Sequence, residues 1–150
     1  MRRWTTNVGL GILVLLLASQ LVPVSRSNPP IEPSRTIYST QQVPPEVKAV
    51  FDQSCKNCHS DETAWPWYSY VAPLSWVIAR DVHQGRKAMN FSQWGTYPPS
   101  KREQKLEDIC DQLANGDMPD RKYILFHQSA RVSESQRSAI CDWTENAREY

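Results

Sequence analysis

The chain has 150 residues and a mass of 17.3 kDa, which suits one ordinary domain. Its 40% apolar and 22% charged residues exclude a mostly disordered chain and a polytopic membrane protein. Lysine and arginine total 17 against 16 aspartate and glutamate residues, so the net charge is +1 and no basic field favours nucleic acid as a partner.

The first predicted element is an apolar segment behind Arg2 and Arg3. The uncharged residues 4–24 would reach about 31 Å as a helix at about 1.5 Å per residue, roughly the thickness of the hydrocarbon core of a bilayer. We therefore predict an uncleaved signal anchor over residues 1–24, with a cleaved signal peptide as the alternative, although the region after Ala18 matches a cleavage site poorly. Arginines before the apolar stretch place everything after it outside the cytoplasm.

A proline-rich segment follows the apolar stretch. Between Pro23 and Pro45 the chain carries six of its eleven prolines, with serines among them and little helical periodicity. This composition predicts a stiff, extended linker over residues 25–43. Two prolines suit the first turn of a helix, so the folded domain is expected to begin at Pro44 and to span residues 44–150.

The most informative motif contains the first two cysteines after the predicted start of the domain. Cys55, Cys58 and His59 give the C-x-x-C-H pattern typical of c-type haem attachment, in which two thiols add to the vinyl groups and the imidazole faces the iron. A zinc site would need a second close pair of ligands, whereas Cys110 and Cys141 lie far apart in the sequence. A thioredoxin-like disulfide would need a preceding strand. We predict one covalent haem c, with zinc and a redox disulfide as alternatives.

The haem iron needs a second axial ligand or an open face. Met118 follows Gly116 in a polar turn, where irregular backbone can hold a thioether, and it is the predicted distal ligand. Met89 fits a gap-filling apolar side chain. His127 follows apolar residues and fits a hydrogen-bonded structural histidine, and His83 lies among charged residues on a solvated face. These three remain the alternative ligands.

The rest of the chain predicts helices separated by loops, with no convincing strand. Apolar residues at helical spacing cover residues 74–82 and 106–113, and Ser133 can cap a last helix. Cys110 lies within one apolar stripe and Cys141 borders another, so we predict a disulfide between them outside the cytoplasm. Two free buried thiols are the alternative. The predicted fold is all-α: a small cytochrome-c-like helical domain around one haem.

An aromatic run follows the motif, and its tryptophans and tyrosines are expected to form the haem environment. Arg80 and Arg86 are candidates for contacts with haem propionates. The string over residues 55–70, CKNCHSDETAWPWYSY, resembles the bacterial haem-binding domain family with a cytochrome-c-like motif. The resemblance covers about residues 44–147 and continues through GDMP at residues 116–119 and ICDW at residues 140–143.

The resemblance implies covalent haem, His59 as proximal ligand, Met118 as distal ligand and an extracytoplasmic location. Together with the N-terminal segment, this predicts a location on the periplasmic side of a bacterial inner membrane. Asp120 stands where a second proline is frequent in the family, which makes the Met118 loop less rigid. The resemblance implies little about a reaction. We expect a membrane-tethered, single-haem electron carrier without substrate chemistry, which exchanges electrons with an unidentified redox partner protein. A haem sensor or a peroxide-handling module with a labile distal position is the alternative function.

Overall fold

The computed structural model of the protein describes residues 2–148. Helices and loops make up this part of the chain, and it contains no strand, which confirms the all-α prediction. The α-helices, in chain order, are α1 (Arg2–Ser19), α2 (Ile37–Thr40), α3 (Pro45–Val50), α4 (Lys56–His59), α5 (Leu74–Ala88), α6 (Pro99–Ala114), α7 (Arg121–Phe126) and α8 (Glu134–Asn146). A π-helical turn covers Phe51–Cys55, and short 3-10 turns cover Pro33–Arg35, Trp67–Tyr70, Phe91–Thr96 and Gln128–Ala130.

Helix α1 carries the apolar N-terminal sequence. Its first six residues include two arginines, two threonines and an asparagine, so the apolar part occupies only the remainder of its 18 residues. Within residues 2–148, no helix combines the length and the apolar character that a membrane crossing requires. This finding does not support the anchor predicted for residues 1–24.

The segment after α1 lies on the body of the protein. We call residues 20–28 the N-terminal strap. The side chain of Gln20 bonds both backbone groups of Ala72, accepting from its N at 3.0 Å and donating to its O at 3.1 Å. Arg26 Nη1 donates to the Ser69 oxygen at 3.3 Å, and its guanidinium lies 4.4 Å from the centre of the Tyr70 ring. The first part of the proline-rich segment is therefore docked along its length.

The hydrophobic core also includes part of the predicted linker. Ile37 in α2 is completely buried, and Thr36 caps this short helix by accepting from the Ser39 backbone N–H. The core cluster is Ile37, Val47, Val50, Phe51, Phe91, Trp94, Leu106, Ile109, Leu113, Ile140 and Trp143. The core therefore includes a residue before Pro44, the predicted start of the domain, because α2 contributes the side chain of Ile37. The proline-rich composition of this segment did not indicate a core residue.

Helices α6 and α8 pack against each other and are joined by a disulfide between Cys110 and Cys141, as predicted. A capping box opens α8, in which the Ser133 side chain accepts from the Gln136 backbone and the Gln136 side chain accepts from the Ser133 backbone. Closing a loop of this length stabilises the folded state by about 3–4 kcal/mol in the chain-entropy model. The disulfide therefore fixes the helix that precedes Met118 to the last helix of the domain.

Helix α5 lies directly against the haem-motif helix α4. Gly85 makes this approach possible, because a Cβ at its position would lie 2.6 Å from the backbone oxygen of Cys58. The helix continues through Gly85 without interruption and ends at Ala88. Gly85 is thus required for close packing rather than for a turn.

We expect Gly85→Ala to lower the free energy of unfolding by about 1–3 kcal/mol, since the added methyl group collides with the backbone of the motif rather than with a flexible side chain. Urea unfolding of the haem-loaded protein measures this effect. Gln84→Ala is the matched control, because Gln84 is the exposed neighbour in the same helix. Equal stability of the two variants would contradict the close contact.

Candidate haem site

The motif spans two elements: Cys55 ends the π-helical turn, and Cys58 and His59 lie in α4. Polar side chains form hydrogen bonds with backbone oxygens of α4. Thr63 Oγ1 donates to the backbone oxygen of Asn57 at 2.7 Å, and Ser60 Oγ donates to that of Lys56 at 2.8 Å. Asn57, between the two cysteines, also donates from Nδ2 to the Tyr123 hydroxyl at 2.8 Å. These bonds satisfy backbone oxygens at the end of α4 and connect the motif to α7.

His59 is held in an orientation suited to metal binding. Its Nδ1 donates to the backbone oxygen of Met89 at 3.2 Å, which leaves Nε2 as the available nitrogen. Burial lowers the pKa of His59, so that the neutral imidazole, the form that binds iron, prevails at neutral pH. The structure thus places an oriented, uncharged imidazole at the end of α4.

Two cavities lie beside the motif. The first, of about 380 Å³, is lined by Cys55, His59 and Met118 together with core side chains such as Phe91 and Leu113. The second, of about 360 Å³, is lined by Cys58 and by residues that include Tyr68, Val77, Tyr123 and Phe126. We call the two cavities together the haem cleft. Each has a volume within the usual range of ligand sites and a mostly apolar lining.

The two motif cysteines are free thiols. Burial raises the pKa of Cys55 to about 12 and that of Cys58 to about 11. Both sulfurs are therefore protonated at neutral pH, and one of them lines each cavity of the haem cleft.

Met118 reaches the first cavity from the turn that follows α6. Gly116 adopts φ +73°, the left-handed conformation that ends a helix and favours glycine. The backbone N–H groups of Asp117 and Met118 both donate to the Gln112 oxygen, at 3.0 and 3.1 Å. The structure therefore brings Met118 into the cavity that His59 lines, while the Met118 side chain stays 41% exposed.

The three alternative ligands lie in different places: Met89 lines the first cavity, His127 lines the second, and His83 lies outside both. His127 Nδ1 bonds the Tyr123 oxygen at 3.2 Å and its Nε2 bonds the Tyr68 hydroxyl at 3.1 Å, so both ring nitrogens have partners. Met89 lines the first cavity, and its backbone oxygen orients His59. His83 is exposed and lines an outer groove beside the N-terminal strap.

Arg86, one of the two arginines predicted as candidates for propionate contact, instead binds protein groups. It donates to the oxygens of Ser60 and Ser27 at 2.7 and 2.9 Å, and to Asn28 Oδ1 and Thr63 Oγ1 at 2.7 and 2.9 Å. It therefore joins the motif to the N-terminal strap. Helical periodicity gives no sign of these contacts, because most of its partners lie in irregular segments.

The aromatic run after the motif divides between two environments. Tyr68 lines the second cavity, whereas Trp67 and Tyr70 are exposed. Trp94, further along the chain, is completely buried in the core. Only part of the predicted aromatic environment therefore lines the haem cleft.

The donor set fits a haem: a largely apolar cleft carries an oriented imidazole, two thiols at the motif and a thioether in the cavity that contains the imidazole. A family model described as a haem-binding domain matches residues 14–146, which is most of the chain, and the protein therefore belongs to the haem-binding domain family. Haem is the cofactor that this membership supports. No curated protein and no solved structure matches the chain.

Proposed function

We propose that the protein is a c-type haem protein that carries single electrons, with haem attached through Cys55 and Cys58 and bound axially by His59 and Met118. The observation that carries this proposal is the cavity lined by both His59 and Met118, two residues of different elements with the two ligand chemistries of a cytochrome c. When bound, the haem supplies one-electron redox chemistry.

The residues of the chain would tune this chemistry in two ways. The Met89 oxygen fixes the ring of His59 and increases its basicity through the bond to Nδ1. A thioether at the distal position raises the reduction potential relative to a second histidine. A carrier of this kind needs only an exposed haem edge and a weak docking surface for a redox partner protein, and we assign it no substrate chemistry.

A haem sensor or peroxide-handling module is the second candidate function. It is favoured by the 41% exposure of Met118, because a thioether that is open to solvent is easily displaced by a small ligand. In this case Met118 would be a labile ligand, and a diatomic molecule or peroxide would reach the iron.

The spectrum of the wild-type protein, produced in a host that attaches haem, tests the proposal. We expect a pyridine haemochrome typical of two thioether bonds and a near-infrared thioether-to-iron band in the ferric state. A ferric protein without this band that binds carbon monoxide rapidly on reduction would favour the second candidate function. A chain that takes up no haem would contradict both.

We also propose that the domain works on the periplasmic side of a bacterial inner membrane, with its N-terminal segment as the export signal. The Cys110–Cys141 disulfide supports this location, since structural disulfides persist in oxidising compartments. A reporter fused after Tyr150 should be active only outside the cytoplasm. Recovery with membranes would indicate an anchor, recovery as a shortened soluble chain would indicate cleavage, and an active cytoplasmic reporter would contradict export.

A further inference from the structure

Lys105 is a buried cation in the wall of the haem cleft. It lies in α6 with only 6% of its surface exposed, and it lines the same cavity as His59 and Met118. Its Nζ donates to the backbone oxygen of Ala88 and lies 4.8 Å from the centre of the Tyr97 ring. Both of these partners are uncharged.

Lys105 has no counter-ion in contact with it among the described residues, and the Asp108 carboxylate attracts it only from beyond ion-pair distance. Among residues 2–148, no carboxylate forms an ion pair with it. Asp108 lies one turn further along α6 and lines the cavity, but it is exposed. A lysine is rarely buried unless its charge is paired, because removal of an ammonium group from water is costly. The chain compensates this charge through the Ala88 oxygen, the Tyr97 ring and the exposed Asp108, so the position can still accept an anion in direct contact.

A haem carries two carboxylates, its propionates, which need cationic or hydrogen-bonding partners in a protein. The other polar side chains of the cavity wall are neutral or acidic: Ser54, Asp108 and Gln112. Among the residues that line this cavity, Lys105 is therefore the cation that can bind a propionate.

Other cations near the cleft are less suited to this contact. Arg86 has already satisfied its donors with protein oxygens. Lys122 lines the second cavity, and Arg121 and Arg131 line an outer cleft beside Met118. All three are exposed and gain less from an added counter-ion because water already solvates them.

We propose that Lys105 is the counter-ion of one haem propionate and makes a charge-assisted hydrogen bond to it inside the haem cleft. This inference rests on the proposed function, because it requires haem in the cavity that His59 lines. It makes Lys105 a positioning residue: it fixes the propionate edge of the haem, while the two cysteines fix the vinyl edge.

The test compares Lys105→Met with Lys105→Arg and with Lys101→Met, all as full-length, haem-loaded proteins. Lys101 is the matched control because it lies one turn earlier in α6 and is exposed. In the resonance Raman spectrum, we expect the propionate bending mode to shift in Lys105→Met, to stay near its wild-type position in Lys105→Arg, and to be unchanged in Lys101→Met. The midpoint potential of Lys105→Met should also fall, since loss of a nearby positive charge favours ferric iron.

The propionate bending mode distinguishes a direct contact between Lys105 and a propionate from an electrostatic effect of Lys105 on the iron. A charge close to the iron without a propionate contact would move the potential and leave the bending mode in place, and that result would overturn the proposal. A shift of the mode in Arg121→Met or Arg131→Met, with none in Lys105→Met, would also overturn it and assign the propionate to the outer cleft. In each of these results the haem is present, so the proposed function stands, whereas a wild-type chain without haem would refute the proposed function itself.

A measurement on the wild type covers the case in which the Lys105 variants do not fold. In the ferrous protein, saturated with carbon monoxide if its iron is not already low-spin, we expect nuclear Overhauser effects between the Lys105 side-chain protons and the propionate methylene protons. If the assigned Lys105 protons show contacts to Tyr97 but none to a propionate, the proposal is wrong.

Discussion

The double variant Cys55→Ser/Cys58→Ser is expected to lose covalently bound haem completely. A serine hydroxyl does not form the thioether that a cysteine thiol forms with a haem vinyl group, so both bonds to the porphyrin are removed while the size of each side chain is almost kept. Acid–organic extraction of the denatured protein measures the result: haem absorbance should stay with the wild-type chain and leave the variant chain.

The second cysteine pair of the protein provides the matched control. Cys110→Ser/Cys141→Ser replaces the same number of cysteines but removes the disulfide between α6 and α8. We expect this variant to keep its haem through extraction and to lose about 3–4 kcal/mol of unfolding free energy. If haem is extracted freely from the wild-type protein, covalent attachment at Cys55 and Cys58 is wrong.

Substitution of Met118 is expected to have the largest effect on the state of the iron. In Met118→Ala we predict complete loss of the near-infrared thioether-to-iron band, binding of carbon monoxide to the ferrous protein and a lower midpoint potential, because the distal ligand is gone. The fold should persist, since Met118 lies in a turn and is 41% exposed. Near-infrared absorption, carbon monoxide titration and redox potentiometry on one preparation measure the three effects.

Two variants show whether the effect is specific to Met118. Met89→Leu changes the other methionine of the same cavity and should keep the band, because the contact that orients His59 uses the Met89 backbone oxygen. His127→Ala should keep the band as well, since both nitrogens of its ring are bonded to tyrosine residues or their backbone. Loss of the band in either variant, with Met118→Ala unaffected, would assign the distal position elsewhere.

Short sequence patterns predicted the features that depend on a few residues and their spacing. The spacing of Ser133 and Gln136 predicted the cap of α8, and the positions of Cys110 and Cys141 on apolar stripes predicted their disulfide. The C-x-x-C-H motif predicts His59 as the haem-site histidine, which stays a prediction, and the structure adds the bond that orients its ring, from Nδ1 to the Met89 oxygen.

Contacts between distant segments were not predictable in the same way. Ile37 is one of only a few apolar residues in a polar, proline-rich stretch, and no periodicity marks it as part of the core. Lys105 lies beside Leu106 on an amphipathic helix and fits a solvated position by sequence, but the approach of Ala88 and Tyr97 buries it. In both cases burial is decided by which segment packs alongside, and sequence spacing carries no information on that neighbour.

The docking of the N-terminal strap limits the distance between the domain and the end of α1. A free proline-rich spacer with the length of residues 20–43 would extend about 70 Å at about 3.1 Å per residue. Here Gln20, the residue directly after α1, is already bonded to Ala72, so none of that length acts as a spacer. The docked strap therefore keeps the domain next to the end of α1, and the domain cannot move away from α1 by the length of the proline-rich segment.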